Sequence, residues 1–492
     1  MTLVYVAIVL FSVLVGLRAR LAWRRRQLQR QWRTAPLGVV EQDHCFGYIN
    51  MVNLVKHTAA GTYYENSQRI VDANPQLKTS SMYVAGQPVI VTLDPENIKA
   101  MLATQFTSFH LGKRHSIFYP LLGNGVFTLD GEGWKHSRQI LRPQFHRDQI
   151  VDVSMFESHA HHLIQEIKNS KPGAVVDLQP LFFSLTMDVA TEFLFGESVN
   201  SLGQKQLPFS ESFTKAQEKL TFRFVLQDMY FLGDGPQFRK HCRTVHELAD
   251  HYVERALAQS DTKTEGKYTF LNELVKQTRD PKVLRDQALN ILLAGRDTTA
   301  STLSFLWYEL GRNPEIYTKL KDEVDQRFAE ADSVTFESLK RAPYLQQVLK
   351  EVLRMYPIVA ENVRFAAEDT TLPRGGGSDG SQPIFVAKGT NITYSPWCMH
   401  RDRDVYGDDA NVFRPERWVD LKNPGWAYLP FNGGPRVCLG QQFALTELAL
   451  VTVRMVQAFP QGLPFSGDST YPPLKHVSLT ISLKQGCPVK VT

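Results

Sequence analysis

Apolar residues along this 492-residue chain fall into two regimes. Long stretches after residue 130 carry the spacing that lays an apolar stripe along a helix, whereas alternating, strand-like patterns are few and short. Met82-Tyr83-Val84-Ala85 and Val89-Ile90-Val91-Thr92, joined through Gly86-Gln87-Pro88, predict a hairpin. Asn391–Tyr394 and His476–Leu483 are further predicted strands, and the glycine-rich run Arg374–Gly380 reads as an exposed loop. The pattern predicts a mainly α fold with small β-sheets. No internal repeat or long Pro/Gly/Ser linker divides it, so residues 45–492 are expected to form one catalytic domain.

The longest predicted helix opens at Asp280-Pro281, a capping acid followed by proline at the first helical position, and runs to Gly311 ahead of Pro314. About thirty residues span roughly 45 Å, enough to cross a domain. Its centre, Ala294-Gly295-Arg296-Asp297-Thr298-Thr299, interrupts the apolar face with small and polar residues. A second helix is expected over Gln441–Val456.

At the amino end, Leu3 to Leu17 is apolar or small, and Arg18, Arg20, Arg24, Arg25, Arg26, Arg30 and Arg33 follow with no acid before Glu41. A secretory signal carries its charge ahead of the apolar run, so this order reads as an uncleaved membrane anchor over residues 1–22, with a basic linker at 23–44 and the body in the cytosol. The run is short for a span, and a helix lying in the membrane interface is the alternative. The net charge is +5; without the seven leader arginines the chain has 48 basic and 50 acidic residues. A near-neutral body offers no basic stripe, so a nucleic-acid partner is set aside. Five cysteines without a C-x-x-C pair exclude the usual zinc arrangements and suit a reducing compartment.

The densest chemistry lies in Phe431-Asn432-Gly433-Gly434-Pro435-Arg436-Val437-Cys438-Leu439-Gly440. It sets one cysteine among glycines just before a helix, where the dipole and unpaired N–H groups favour a thiolate. Glycines let the backbone approach a flat cofactor and aim amides at sulfur, and Phe431 can cover one side.

These ten residues resemble the haem-thiolate signature F-x-x-G-x-R-x-C-x-G of the cytochrome P-450 superfamily, with every fixed position present. The resemblance implies haem b (iron protoporphyrin IX) ligated by Cys438 and lying between a long distal helix and the cysteine loop, with Phe431 and Gly440 beside it. Ala294-Gly295-Arg296-Asp297-Thr298 matches the distal motif A-G-x-D/E-T, which implies a catalytic acid and alcohol pair, Asp297 and Thr298, relaying protons to bound dioxygen. On the residues alone, Thr298 back-bonding to a helix carbonyl with Asp297 capping a kink is the structural alternative. Glu351-Val352-Leu353-Arg354 puts both charges on one helix face. With Phe413-Arg414-Pro415-Glu416-Arg417-Trp418 downstream it resembles the buried triad Glu351, Arg354 and Arg417 that holds the cysteine loop. Trp134 and Arg138, one helical turn apart, together with Arg364 and Arg436, match residues that bind haem propionates. His400 is taken as structural, because the family's axial ligand is a thiolate.

The implied reaction is NADPH- and O2-dependent monooxygenation, since a thiolate ligand favours O–O cleavage. The chain has no G-x-G-x-x-G after a strand, so electrons must come from a separate partner, an NADPH–cytochrome P-450 reductase, at the endoplasmic reticulum membrane. The stretch Leu122–Arg138, the Leu372–Gly377 segment and Phe443-Ala444-Leu445-Thr446-Glu447 resemble the fungal branch that hydroxylates n-alkanes and fatty acids at the terminal carbon. A long-chain alkane, fatty acid or alkyl-tailed lipid is the substrate implied. That branch usually has a proline near Ala360 and an aromatic near Val363; Ile358-Val359-Ala360-Glu361-Asn362-Val363 departs from it, with Ala294, Val359 and Ala360 the expected pocket residues. The departure leaves room for oxidation of a polyketide or terpenoid of fungal secondary metabolism. A haem-thiolate isomerase or dehydratase needs no proton relay, and the Asp297-Thr298 pair argues against it.

Overall fold

The computed structural model describes residues 2–38, 47–84, 86–145, 152–203, 208–261, 269–330 and 333–491. The expected boundary at residues 44 and 45 lies outside them. Helices dominate, with small sheets at one side.

The central helix runs Pro281–Arg312, as its punctuation predicts. Asp280 accepts from the amides of Lys282 and Val283 at 2.9 and 3.3 Å, and Pro281 takes the first turn, where no amide partner is needed. From Thr299 to Leu310 every residue is buried, so this end is enclosed on all sides, as expected of a helix threaded through a domain. Helix Leu178–Phe195 packs along it, and the close approach falls at Gly295, where a Cβ would lie 3.7 Å from Ala190 Cβ. Thr186 Oγ1 donates to the Arg296 carbonyl across the same contact at 2.8 Å.

The main sheet has β1 Thr79–Val84, β2 Gln87–Thr92, β3 Phe109–His110, β5 Asn362–Ala366 and β8 Asn391–Tyr394, ordered β1-β2-β8-β5-β3. The predicted hairpin is β1–β2, paired antiparallel from Thr79–Thr92 to Val84–Gln87, and the predicted 391–394 strand joins β2 in parallel. Two-stranded sheets pair β4 Val175–Asp177 with β11 Pro488–Lys490, β6 Thr370–Gly376 with β7 Gln382–Val386, and β9 Lys475–Val477 with β10 Ile481–Leu483.

Two expectations are corrected. His476–Leu483 is a hairpin with its turn at Ser478–Thr480, where the Ser478 hydroxyl donates to the Thr480 carbonyl at 2.8 Å. The glycine run begins inside β6: Gly375 and Gly376 are buried, and a Cβ on Gly376 would lie 2.8 Å from the Pro383 carbonyl oxygen. These glycines allow close backbone approach at an irregularity in β6–β7, and the loop shrinks to about 377–381. One continuous helix, Thr2–Gln31, runs through the expected boundary at residues 22 and 23, and no helix among the described residues is long and apolar enough to cross a membrane. Beyond it the basic segment docks on the β6–β7 hairpin: Trp32 stacks on Phe385 with centroids 5.9 Å apart, and the Ala35 amide donates to the Pro383 carbonyl at 2.9 Å.

Candidate active site

One cavity of about 1180 Å³ lies between the central helix, the cysteine loop and the β-rich side. Cys438 is exposed to it. The loop that presents Cys438 is closed on itself: its amide donates to the Phe431 carbonyl at 3.0 Å. Gly434 turns the chain at φ +65°, and a Cβ there would sit 1.9 Å from the Leu102 carbonyl oxygen, so only glycine fits. The helix after the loop runs Gln441–Ala458, which places Cys438 two residues before its cap at Gly440. Burial pushes the Cys438 thiol up, while the Gly440 amide and the Arg138 guanidinium pull it toward the thiolate. Phe431 and Gly440 line the same cavity.

Trp134 and Arg138 project from helix Gly131–Leu141. Trp134 is buried at the cavity edge, the Arg436 guanidinium stacks 4.5 Å over its ring, and Arg138 Nη1 donates to the Val437 carbonyl at 3.0 Å. Arg436 bonds Asp130 at 2.7 Å and the Leu129 carbonyl at 2.9 Å. Arg364, buried on β5, donates to the Val363 carbonyl at 2.8 Å. The cluster contains a residue that sequence reasoning missed. Arg114 lines the cavity with its Nε buried and unpartnered, and burial beside Arg364 and Arg436 pushes its pKa down to about 9. Four arginines facing a cavity with Asp130 as their paired carboxylate leave positive charge uncompensated, and this fits a flat group bearing two carboxylates. Nothing in the local sequence Lys113-Arg114 signals that role.

Across the cavity, Ala294, Gly295 and Thr298 form the wall from the central helix. Thr298 Oγ1 donates to the Ala294 carbonyl at 2.7 Å. Asp297 is buried but does not line the cavity; Arg296 Nη1 bonds it at 3.0 Å and the Gln217 side-chain amide donates to its other oxygen. Arg296 and Gln217 carry no motif that would have marked them. Val359 and Ala360 line the cavity together, with the Ala360 carbonyl fixed by the Trp397 amide at 3.1 Å.

Glu351, Arg354 and Arg417 come together away from the cavity, all buried. Arg354 grips Glu351 through Nε and Nη2 at 2.9 and 2.7 Å, and Arg417 Nε reaches it at 3.2 Å. Trp418 Nε1 and the Arg414 amide add bonds at 3.0 and 3.1 Å. Arg354 Nη1 donates to the His400 carbonyl at 2.8 Å, and His400 Nε2 accepts from the Leu429 amide at 2.8 Å, just ahead of the cysteine loop. Burial pushes His400 down to about 3, which suits an Nε2 that accepts. His400 is thus a structural link, as expected.

The family described as Cytochrome P450 matches residues 65–484. Cytochrome P450 52A1 of Candida tropicalis is 48% identical over 95% of this chain and 90% of its own length, and Cytochrome P450 52A12 of Debaryomyces hansenii is 50% identical over 90% and 89%. The crystal structure of the cytochrome P450DA heme domain superposes with a TM-score of 0.79 at 21% identity, covering 93% of this chain and 98% of that one, a likeness of fold. A family model over residues 65–484 and relatives near 50% identity over most of the chain settle the family: the chain belongs to the cytochrome P450 family and is a monooxygenase with a cysteine-ligated haem, a hydrophobic substrate and a reductase partner supplying electrons from NADPH.

Proposed function

We propose that this protein hydroxylates the terminal carbon of a long aliphatic chain, as a membrane-associated enzyme of the endoplasmic reticulum with its catalytic domain in the cytosol. Cys438 is the thiolate ligand, and the bound haem supplies reductive activation of dioxygen. Trp134, Arg138, Arg364, Arg436 and Arg114 hold its carboxylates. Thr298 presents its Oγ1 at the distal wall, with Asp297 behind it.

The observation that carries this reading is that Cys438 and the Ala294–Thr298 wall face each other across one cavity whose other walls are largely aliphatic and aromatic, including Phe118, Phe224, Ile291 and Val363. The phrases resembling the alkane and fatty-acid branch support an aliphatic substrate. Exposed apolar side chains support a membrane-facing entrance: helix Tyr48–Ala60 exposes Tyr48, Val52 and Val55, and Val225, Phe231 and Leu232 are exposed beyond the cavity wall at Phe224. With seven arginines behind an apolar run, the leader is suited to hold the domain at an anionic surface.

Reconstitution with reductase, NADPH, 18O2 and n-dodecane tests the reading. Labelled dodecan-1-ol is expected, and Cys438→Ser should lose both product and the long-wavelength Soret band of the reduced carbon monoxide complex. Product without label refutes monooxygenation; turnover of terpenoids but of no linear chain refutes the substrate class.

A further inference from the structure

Glu361 is the only carboxylate among the described residues lining the cavity. It follows Val359 and Ala360 in the same wall, and its side-chain partner is the hydroxyl of Tyr63, which reaches its two oxygens at 3.1 and 2.9 Å. Among the described residues no cation pairs with it. Lys78, the lysine on the cavity wall, is engaged by Asp402 and Asp404 at 2.9 and 2.8 Å. Arg436 is engaged by Asp130 and Arg138 and Arg364 by backbone carbonyls, while Arg114 bonds the Asn362 side chain at 2.9 Å; in the reading above all four are assigned to the cofactor carboxylates. Of the remaining polar groups of that region, Asn66, Asn74 and Gln227 carry no charge, and His57 shares a hydrogen bond with the Thr62 hydroxyl at 3.0 Å.

A carboxylate in the wall of a largely apolar cavity imposes a negative potential on whatever enters, undiminished by a counter-ion and poorly screened by salt. Burial pushes the Glu361 carboxyl up to about 7, which shows how poorly its surroundings tolerate a charge. A second anion brought into the same cavity meets that potential and, apart from the arginines assigned to the cofactor, finds no cation among the described lining residues without its own carboxylates to repay its desolvation. An uncharged chain pays neither cost, and its hydroxyl, if it has one, meets an acceptor.

We propose that Glu361, oriented by Tyr63 in the cavity wall, is a specificity-determining residue that selects uncharged aliphatic chains, alkanes and alkanols, over the corresponding carboxylates. The inference rests on the aliphatic reading above and narrows it. At one chain length the neutral ligand should bind on the order of tenfold more tightly than the anion.

The test uses the haem-loaded protein at pH 8, titrated with dodecane, dodecan-1-ol and dodecanoate and followed by the spin-state shift of the Soret band. Wild type should prefer the alcohol to the carboxylate about tenfold. Glu361→Gln should abolish most of that preference by tightening dodecanoate while leaving dodecane unchanged, and Tyr63→Phe should keep it. Equal affinity of wild type for alcohol and carboxylate overturns the proposal without any variant. An alcohol-to-carboxylate ratio unchanged in Glu361→Gln overturns it too, with the aliphatic reading intact. If none of the three ligands shifts the spectrum, the aliphatic reading itself fails and takes this inference with it.

Discussion

Replacing Glu351 by alanine removes the acceptor shared by four neighbours: Arg354, Arg417, the Trp418 indole and the Arg414 amide. The loss is unequal. Arg417 keeps Asp409 at 2.6 Å and the Tyr406 carbonyl at 2.5 Å, whereas Arg354 keeps backbone carbonyls alone at His400, Ala410 and Val412. Arg354 is fully buried, so its guanidinium becomes a charge without a counter-ion in the interior. Breaking one partner of a buried ion pair costs about 3–5 kcal/mol, and domains are stable by only about 5–15. The damage reaches the cofactor because Arg354 holds His400, and His400 holds Leu429 two residues before Phe431. Glu351→Ala should accumulate as haem-poor protein without the long-wavelength band of the reduced carbon monoxide complex. Glu351→Gln, which restores one acceptor but no charge, should be intermediate. A Glu351→Ala holoprotein with full haem occupancy and a melting temperature within about 2 °C of wild type would refute the argument.

Two further predictions come from single groups. Gly434→Ala combines a positive φ with a Cβ 1.9 Å from a backbone oxygen; haem incorporation should fall severely, read as the ratio of Soret to protein absorbance, and an unaffected ratio would contradict the close approach. Glu447 is buried on the helix after the cysteine loop, bonded to Thr299, and burial raises its carboxyl to about 8. The folded state therefore keeps a proton that the unfolded state releases near 4.5, so stability present below that pH is lost as pH rises through about 8. Glu447→Gln should match wild type at pH 5 and exceed it at pH 8.5, by roughly 3–5 kcal/mol at most; parallel melting-temperature profiles for the two proteins would refute this.

What the sequence made legible is what short spacing determines. The helix from Asp280-Pro281, the 79–92 hairpin, Glu351 with Arg354 and Trp134 with Arg138 all depend on neighbours within a turn or a strand pair. The residues that escaped notice act across long separations: Arg114 meets Asn362, Gln217 meets Asp297, and Tyr63 meets Glu361. A lone arginine or glutamine on a helical pattern reads as solvated surface until the fold supplies its partner. The glycine run at 374–380 misled for the opposite reason, because permissive backbone serves a tight approach as well as a loop.

The distal pair shows how helix geometry divides what a motif joins. Consecutive helical residues point about 100° apart, and of Asp297 and Thr298 it is Thr298 that lines the cavity. Its hydroxyl hydrogen is committed to the Ala294 carbonyl, which leaves the Oγ1 lone pairs directed outward. Thr298 is thereby presented to the cavity as an acceptor. Asp297 has each oxygen engaged, one by Arg296 and the other by Gln217. Gln217 itself lines the cavity, so a ligand that displaces its amide would free a carboxylate oxygen one residue from Thr298. In this arrangement Gln217, carried on the helix Pro208–Leu226, is what connects the buried Asp297 to the cavity.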